Sequence, residues 1–331
     1  MVYLNFMRGT LKRLSIAVLL VGAGLWFGNS SLFVSGLERH ETRLIAHRGV
    51  NQVYTGSDRS NDACHASPVA PVKHSFIENT IPSMREAFRL GADVVEIDVH
   101  LTTDSVFVVF HDWTLDCRTD GTGVTNEKNL ATLQSLDVGY WIDDGTEAYP
   151  LRGQAVGLMP TLDSVFEENM EGQFLINFKS RRRDEGAALA AILERSEVRD
   201  KVYGVYGGQR PTRIAIEATP DLRGFDRSSL EACLIRYLAL GWSGYVPESC
   251  HNTIVLIPQN YARFLWGWPH RFTRRLKSVG TDVILAGAND GSGFSSGIDD
   301  ADSFREVPEA FDGYIWTNRI ELIGPLNSSR E

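Results

Sequence analysis

From residue 43 onward the chain repeats one theme: a short apolar run rich in β-branched residues, then a longer stretch of helical periodicity. Strands are expected at 43–47, 93–99, 106–111, 174–179, 202–206, 253–257, 282–287 and 313–317, with a weaker candidate at 222–225. Helices are expected at 83–90, 162–169, 185–195, 229–240 and 261–279. Strands that alternate with helices run parallel, because each helical connection carries the chain back to the starting edge of the sheet. About eight such units over about 290 residues fit a (β/α)8 TIM barrel, whose usual size is about 250 residues. A doubly wound open sheet is the rival, and its phosphate site would need a Gly-rich turn after the first strand. His47-Arg48-Gly49, followed by a long polar insertion at about 51–75, supplies no such turn.

In a barrel the reactive groups sit at the C-terminal ends of the strands. Glu96 and Asp98 share one face of their strand, about 6–7 Å apart along the backbone. Two close carboxylates repel unless positive charge lies between them, and a divalent cation is the usual solution. The run ending at His111 and the run ending at His47-Arg48 deliver imidazoles and a guanidinium to the same rim, and Lys179 ends another. This is the layout of a metal-assisted hydrolase acting on phosphate. His100 continues the face of Glu96 and Asp98, with a packing role at least as well motivated as a pocket role.

The N-terminus reads differently. The segment 15–34 is uncharged, preceded by Arg8, Lys12 and Arg13 and followed by Glu38 and Glu41. About 20 apolar residues suffice for a helix to cross a bilayer, and the basic flank belongs on the cytoplasmic side. The expected organisation is therefore a cytoplasmic segment 1–13, a transmembrane anchor 14–35 and an extracytoplasmic barrel 36–331, periplasmic in a bacterium. A cleaved signal peptide is the alternative, disfavoured by the long core and the poor cleavage sequence around Gly28-Asn29-Ser30-Ser31. A net charge of −9 argues against a nucleic-acid partner. Export permits disulfides between Cys64, Cys117, Cys233 and Cys250. Three pairings are open. Cys233 with Cys250 is a local bridge across a helix and a Gly-rich turn, and Cys64 with Cys117 would join two loops. The stretch 265–275 mixes aromatic and basic side chains, most simply a barrel helix with an aromatic inner face, with membrane contact as the alternative.

The chain resembles the glycerophosphodiester phosphodiesterase family. The resemblance rests on Ala46-His47-Arg48-Gly49, Glu78-Asn79-Thr80, Glu96-Ile97-Asp98-Val99, Leu101-Thr102-Thr103-Asp104 and Val109-Phe110-His111-Asp112. It continues through Thr114-Leu115-Asp116, Thr119-Asp120-Gly121-Thr122-Gly123, Met159-Pro160-Thr161-Leu162, Phe178-Lys179 and Asp312-Gly313-Tyr314-Ile315-Trp316-Thr317-Asn318. It implies a TIM barrel that hydrolyses glycerophosphodiesters to glycerol 3-phosphate and an alcohol. It further implies His47 and His111 as the catalytic acid and base, and Glu96 and Asp98 as ligands of Mg2+ or Ca2+. Arg48 and Lys179 would hold the phosphate, and Glu78 with Asn79 would support the site; Trp316, at the end of the last strand, is a candidate to pack against substrate, with a structural packing role at least as well motivated. The family usually places a third metal-binding carboxylate two residues before the lysine. That position is Asn177, which is expected as the third metal ligand through its amide oxygen, with the metal site losing one negative charge. Two alternatives follow: hydrolysis of lipid phosphodiesters in the manner of a lysophospholipase D, and a catalytically impaired phosphodiester-binding protein.

Overall fold

A computed structural model describes residues 2–31, 42–58, 64–168, 170–291 and 296–329. In chain order the elements are α1 (Val2–Asn29), β1 (Arg43–His47), α2 (Ile81–Arg89), β2 (Val94–Leu101), β3 (Phe107–Val109), α3 (Leu130–Gln134), α4 (Leu162–Glu167) and β4 (Gln173–Phe178). Next come α5 (Arg183–Leu193), α6 (Ser196–Arg199), β5 (Val202–Gly207), α7 (Gln209–Ala218), β6 (Gly224–Phe225) and α8 (Arg227–Leu240). The chain ends with β7 (Ile254–Pro258), α9 (Gln259–Ala262), α10 (His270–Lys277), β8 (Asp282–Ala286), α11 (Ala301–Arg305), β9 (Tyr314–Thr317) and α12 (Ile320–Ser328).

Eight parallel strands lie side by side in the order β6-β5-β4-β2-β1-β9-β8-β7. Thr253 Oγ1 donates to the Gly224 carbonyl at 2.7 Å across the remaining seam between β6 and β7, so the barrel is nearly closed. Two of the strand assignments change. The run at 106–111 is not a barrel strand: β3 pairs antiparallel with β2. Its connection is a tight turn in which Thr102 N donates to the Val106 carbonyl, far too short for a parallel crossover. The weaker run at 222–225 supplies the eighth barrel strand instead, as β6.

β2 is buried along its whole length. Its Val95, Ile97, Val99 and Leu101 pack outward in the main core, under the helices, while Val94 faces inward with Ile45, Leu175, Ile254 and Ile284. Period-two alternation therefore sends Glu96 and Asp98 into the barrel. α8 starts where Asp226 accepts from the Ser228 and Ser229 amides, with Ser229 bonding back to the Asp226 amide. The helix expected at 261–279 is broken into α9 and α10, because Gly267 adopts φ +86° and Pro269 follows. Between β2 and α4 a satellite core forms around Val108, Phe110, Leu115, Leu133, Leu136 and Met159, joined by Ala66, Val69 and Ile77 from the 51–77 segment. The two disulfides are Cys64–Cys117 and Cys233–Cys250.

The transmembrane expectation changes as well. Among the described residues no helix is long and apolar enough to cross a membrane. α1 ends at Asn29, so its uncharged part, 14–29, rises only about 24 Å against a hydrocarbon core of about 30 Å. Residues 32–35 of the expected anchor lie outside the described residues, as do 36–41 at the start of the expected barrel domain.

Candidate active site

The strand register stacks the site in two layers. His47 pairs with Glu96 in one layer; Asp98, Asn177 and Tyr206 are neighbours in the next. His47, Arg48, His111, Asn177, Lys179, Tyr206 and Asn318 line a cavity of about 1550 Å³ at the strand ends, whereas Glu96 and Asp98 are fully buried and do not line it. The 51–75 insertion contributes Asn51, Gln52, Val53, Tyr54, Cys64 and His65 to its wall.

Each catalytic candidate has its Nδ1 occupied. Asn318 Nδ2 donates to Asp299 at 2.8 Å, which turns Asn318 Oδ1 toward His47 Nδ1 at 2.5 Å. His47 is therefore protonated at Nδ1 and presents the Nε2 lone pair, which accepts from Arg48 Nε at 3.1 Å. His111 Nδ1 meets Asp112 Oδ1 at 2.7 Å, again leaving Nε2 toward the cavity. Burial and the adjacent Arg48 charge pull His47 down to about 3, and burial, Arg48 and Lys179 hold His111 well below its ordinary value. Both imidazoles are neutral at physiological pH.

Asp98 gathers the positive groups. It receives Asn79 Nδ2 at 3.0 Å and Asn177 Nδ2 at 2.8 Å, with Arg48 Nε at 3.2 Å and Lys179 Nζ at 3.6 Å. Burial alone would raise its pKa, but Lys179 and Arg48 outweigh burial and keep it ionised. Glu96 is the reverse case: burial and the Asp98 charge push it up to about 8. Tyr206 donates to its Oε1 at 2.7 Å, whereas Oε2 is buried with no hydrogen-bond partner among the described residues. An orphaned carboxylate oxygen beside a second carboxylate is a place that fits a hard cation. The fit is limited to those two acids: among the described residues no group of three or more His, Cys, Asp or Glu side chains is arranged to hold a metal.

Three expected roles change in detail. Asn177 turns its amide nitrogen, not its oxygen, toward Asp98, and its Oδ1 points at Gly207, where a built Cβ would lie only 2.1 Å away. Trp316 is 2% exposed and does not line the cavity; it backs His47 at 4.8 Å between ring centres. It is buried because Trp316 faces the barrel interior with Ile45 and Phe225. Arg48 is committed to Glu78 at 3.0 Å as well as to Asp98, so it organises carboxylates in addition to facing the cavity. His100 is buried 6.0 Å from the Trp113 ring and does not line the cavity.

Sequence reasoning missed Arg118, Tyr206, His65, Asp299 and Asn318 as site residues. Arg118 bridges Glu78 and Asp112 at 3.0 Å each, and this ties the two histidine-bearing loops into one buried network: His111, Asp112, Arg118, Glu78, Arg48, Asp98. Asn318 lies inside the motif Asp312-Gly313-Tyr314-Ile315-Trp316-Thr317-Asn318; the others carry no spacing signal. Arg48 and Asn79, at φ 60° and 59°, hold left-handed backbone that costs non-glycine residues about 1–3 kcal/mol, strain that concentrates at functional sites.

Residues 47–210 match the sequence model of the glycerophosphoryl diester phosphodiesterase family. A glycerophosphodiester phosphodiesterase of Bacillus subtilis is 40% identical over 93 residues, 27% of this chain and 31% of that protein, so the chain covers about a third of that relative's length. The glycerophosphoryl diester phosphodiesterase domain of a Mycobacterium tuberculosis protein shares the fold, with a TM-score of 0.61 at 17% identity, covering 88% of this chain and 100% of that one. An Oleispira antarctica phosphodiesterase, solved with its product sn-glycerol 3-phosphate, shares it with a TM-score of 0.52 at 20% identity, covering 86% of this chain and 96% of that one. The matched stretch holds both histidines, the acid pair, Asn177 and Lys179, and the chain belongs to the glycerophosphoryl diester phosphodiesterase family.

Proposed function

We propose that the protein hydrolyses glycerophosphodiesters to glycerol 3-phosphate and an alcohol. The observation that carries this is the pair of neutral histidines, each fixed at Nδ1, on the wall of one cavity close to Glu96 and Asp98. Glu96 and Asp98 would hold a divalent cation, Mg2+ or Ca2+, which when bound polarises the phosphoryl oxygens. Lys179 sits beside them to meet the phosphate. His111, backed by the Asp112 carboxylate, takes the proton from the attacking oxygen, since its imidazolium is paired with that carboxylate. The negative charge of a bound diester favours uptake of a proton from water at His47 Nε2, and, backed only by the neutral Asn318 amide, the resulting imidazolium gives that proton up readily to the leaving alkoxide. Asn177 donates to Asp98 and weakens the charge facing the cation rather than adding to it.

The cavity wall is built largely of histidine, arginine, asparagine, glutamine and hydroxyl groups, which favours a water-soluble diester over one carrying an acyl chain. The two disulfides support an extracytoplasmic location. The test is release of glycerol 3-phosphate from glycerophosphocholine by the full chain, read with a coupled dehydrogenase, in EDTA, Mg2+ or Ca2+. Release that needs the cation and disappears in His47→Ala is the expected result. Diester binding without release under every metal would instead identify a binding protein.

A further inference from the structure

The outer surface between α8 and α10 carries features that catalysis does not use. α1 is rooted there: Asn29 donates to the Trp242 carbonyl at 2.8 Å and accepts from Arg275 at 2.9 Å, and Ser31 donates to the Gly267 carbonyl at 2.9 Å. Asn29 and Ser31 are buried, whereas the described side chains of 15–28 are exposed except for half-buried Leu25. Around this root stand Leu238, Leu240, Trp242, Tyr245 and Phe264, every one at least 44% exposed. Trp266 Nε1 donates to the Leu238 carbonyl at 2.9 Å, tying the segment after α9 to the end of α8. Scattered exposed hydrophobics are ordinary, but a set gathered at the foot of an apolar helix marks an interaction surface.

Charge identifies the occupant. From residue 232 to 281 the chain has six Lys and Arg against one acid, within a protein of net charge −9. Arg236, Arg263 and Arg274 are exposed. Indole and phenol rings settle at the headgroup level of a bilayer, aliphatic side chains enter the acyl boundary, and arginines pair with anionic lipid phosphates. A second copy of the same face would bring like charges together across a two-fold axis. The hydrogen bonds of Asn29 and Ser31 leave no slack between α1 and the barrel, so a membrane that takes up α1 must lie against this face. We infer that this face docks on an anionic phospholipid bilayer, with α1 entering its apolar region and the barrel resting on the headgroups.

Hydrogen exchange of the full chain tests this independently of the catalytic reading. The chain is compared in vesicles of phosphatidylcholine with about 30% phosphatidylglycerol, in pure phosphatidylcholine vesicles and in uncharged detergent micelles. Peptides covering 238–245 and 260–268 should exchange about tenfold more slowly in the anionic vesicles alone, a shift of about 1.4 kcal/mol. The triple variant Arg236→Glu, Arg263→Glu, Arg274→Glu should lose that protection, keep the protection of α1 and keep its melting temperature. A second variant, Leu240→Ser with Phe264→Ser, should behave alike. Protection of α1 without protection of 238–245 and 260–268 would mean a loose tether and overturn the inference. Protection already present in micelles and rising with protein concentration would mean self-association and overturn it equally.

Discussion

Removing the Cys64–Cys117 bridge should cost more stability than removing Cys233–Cys250, and only the former should disturb the site. The bridges close loops of 53 and 17 residues. Loop-closure entropy of the unfolded chain then gives about 4 kcal/mol for the long loop and about 3 kcal/mol for the short one. A barrel of about 290 residues has an unfolding entropy of about 0.6 kcal/mol per degree, so the double alanine variants should melt about 7 °C and about 5 °C lower. Cys64 and Cys117 both line the cavity, and the His65 ring next to Cys64 stacks on His111 at 5.5 Å. Loss of the long bridge should therefore raise KM more than it lowers kcat, while loss of the short bridge leaves both unchanged. Differential scanning calorimetry and steady-state kinetics on the two variants check both parts. A larger melting shift for Cys233→Ala with Cys250→Ala, or equal kinetic effects, would refute the reasoning.

Three further outcomes follow from the geometry. Asn177→Asp places a second carboxylate where the amide donated to Asp98 at 2.8 Å, so the melting temperature in EDTA should fall while Ca2+ or Mg2+ binds more tightly by calorimetry. Trp316→Ala empties a fully buried indole site behind His47 and should cost about 3–5 kcal/mol, or about 5–8 °C of melting temperature, with a loss of kcat from the unsupported imidazole. Asp112→Asn removes the carboxylate behind His111 and breaks its pairing with Arg118; kcat should fall with glycerol 3-phosphate affinity nearly kept, measured by turnover and by titration.

The barrel was legible in the sequence because parallel strands covered on both faces read as apolar runs and their helices as 3.6-residue periodicity. What misled was length. Val106 to Phe110 is as apolar as a barrel strand, yet the five-residue turn before it admits only antiparallel pairing, while Gly224-Phe225 is a barrel strand too short to stand out. The acid pair and the two histidines were legible because each ends or occupies a strand. Arg118, Tyr206 and Asp299 were not, because their roles arise from contacts across 40, 110 and 19 residues of chain, to Glu78, Glu96 and Asn318. Side-chain direction was equally hidden. Nothing local to Asn177 says that its nitrogen faces Asp98, and nothing local to Trp316 says that it backs His47 inside the barrel rather than facing the cavity.

We propose that His47 and His111 move protons at one cation-assisted phosphodiester site. The most direct measurement is 31P NMR of glycerophosphocholine incubated with the full chain, with and without EDTA, beside His111→Asn. The diester resonance should be replaced by that of a phosphomonoester, EDTA should stop the conversion, and the variant should slow it by about 10²–10⁴. Conversion by the variant at the native rate, or persistence of the diester with every cation, would contradict it.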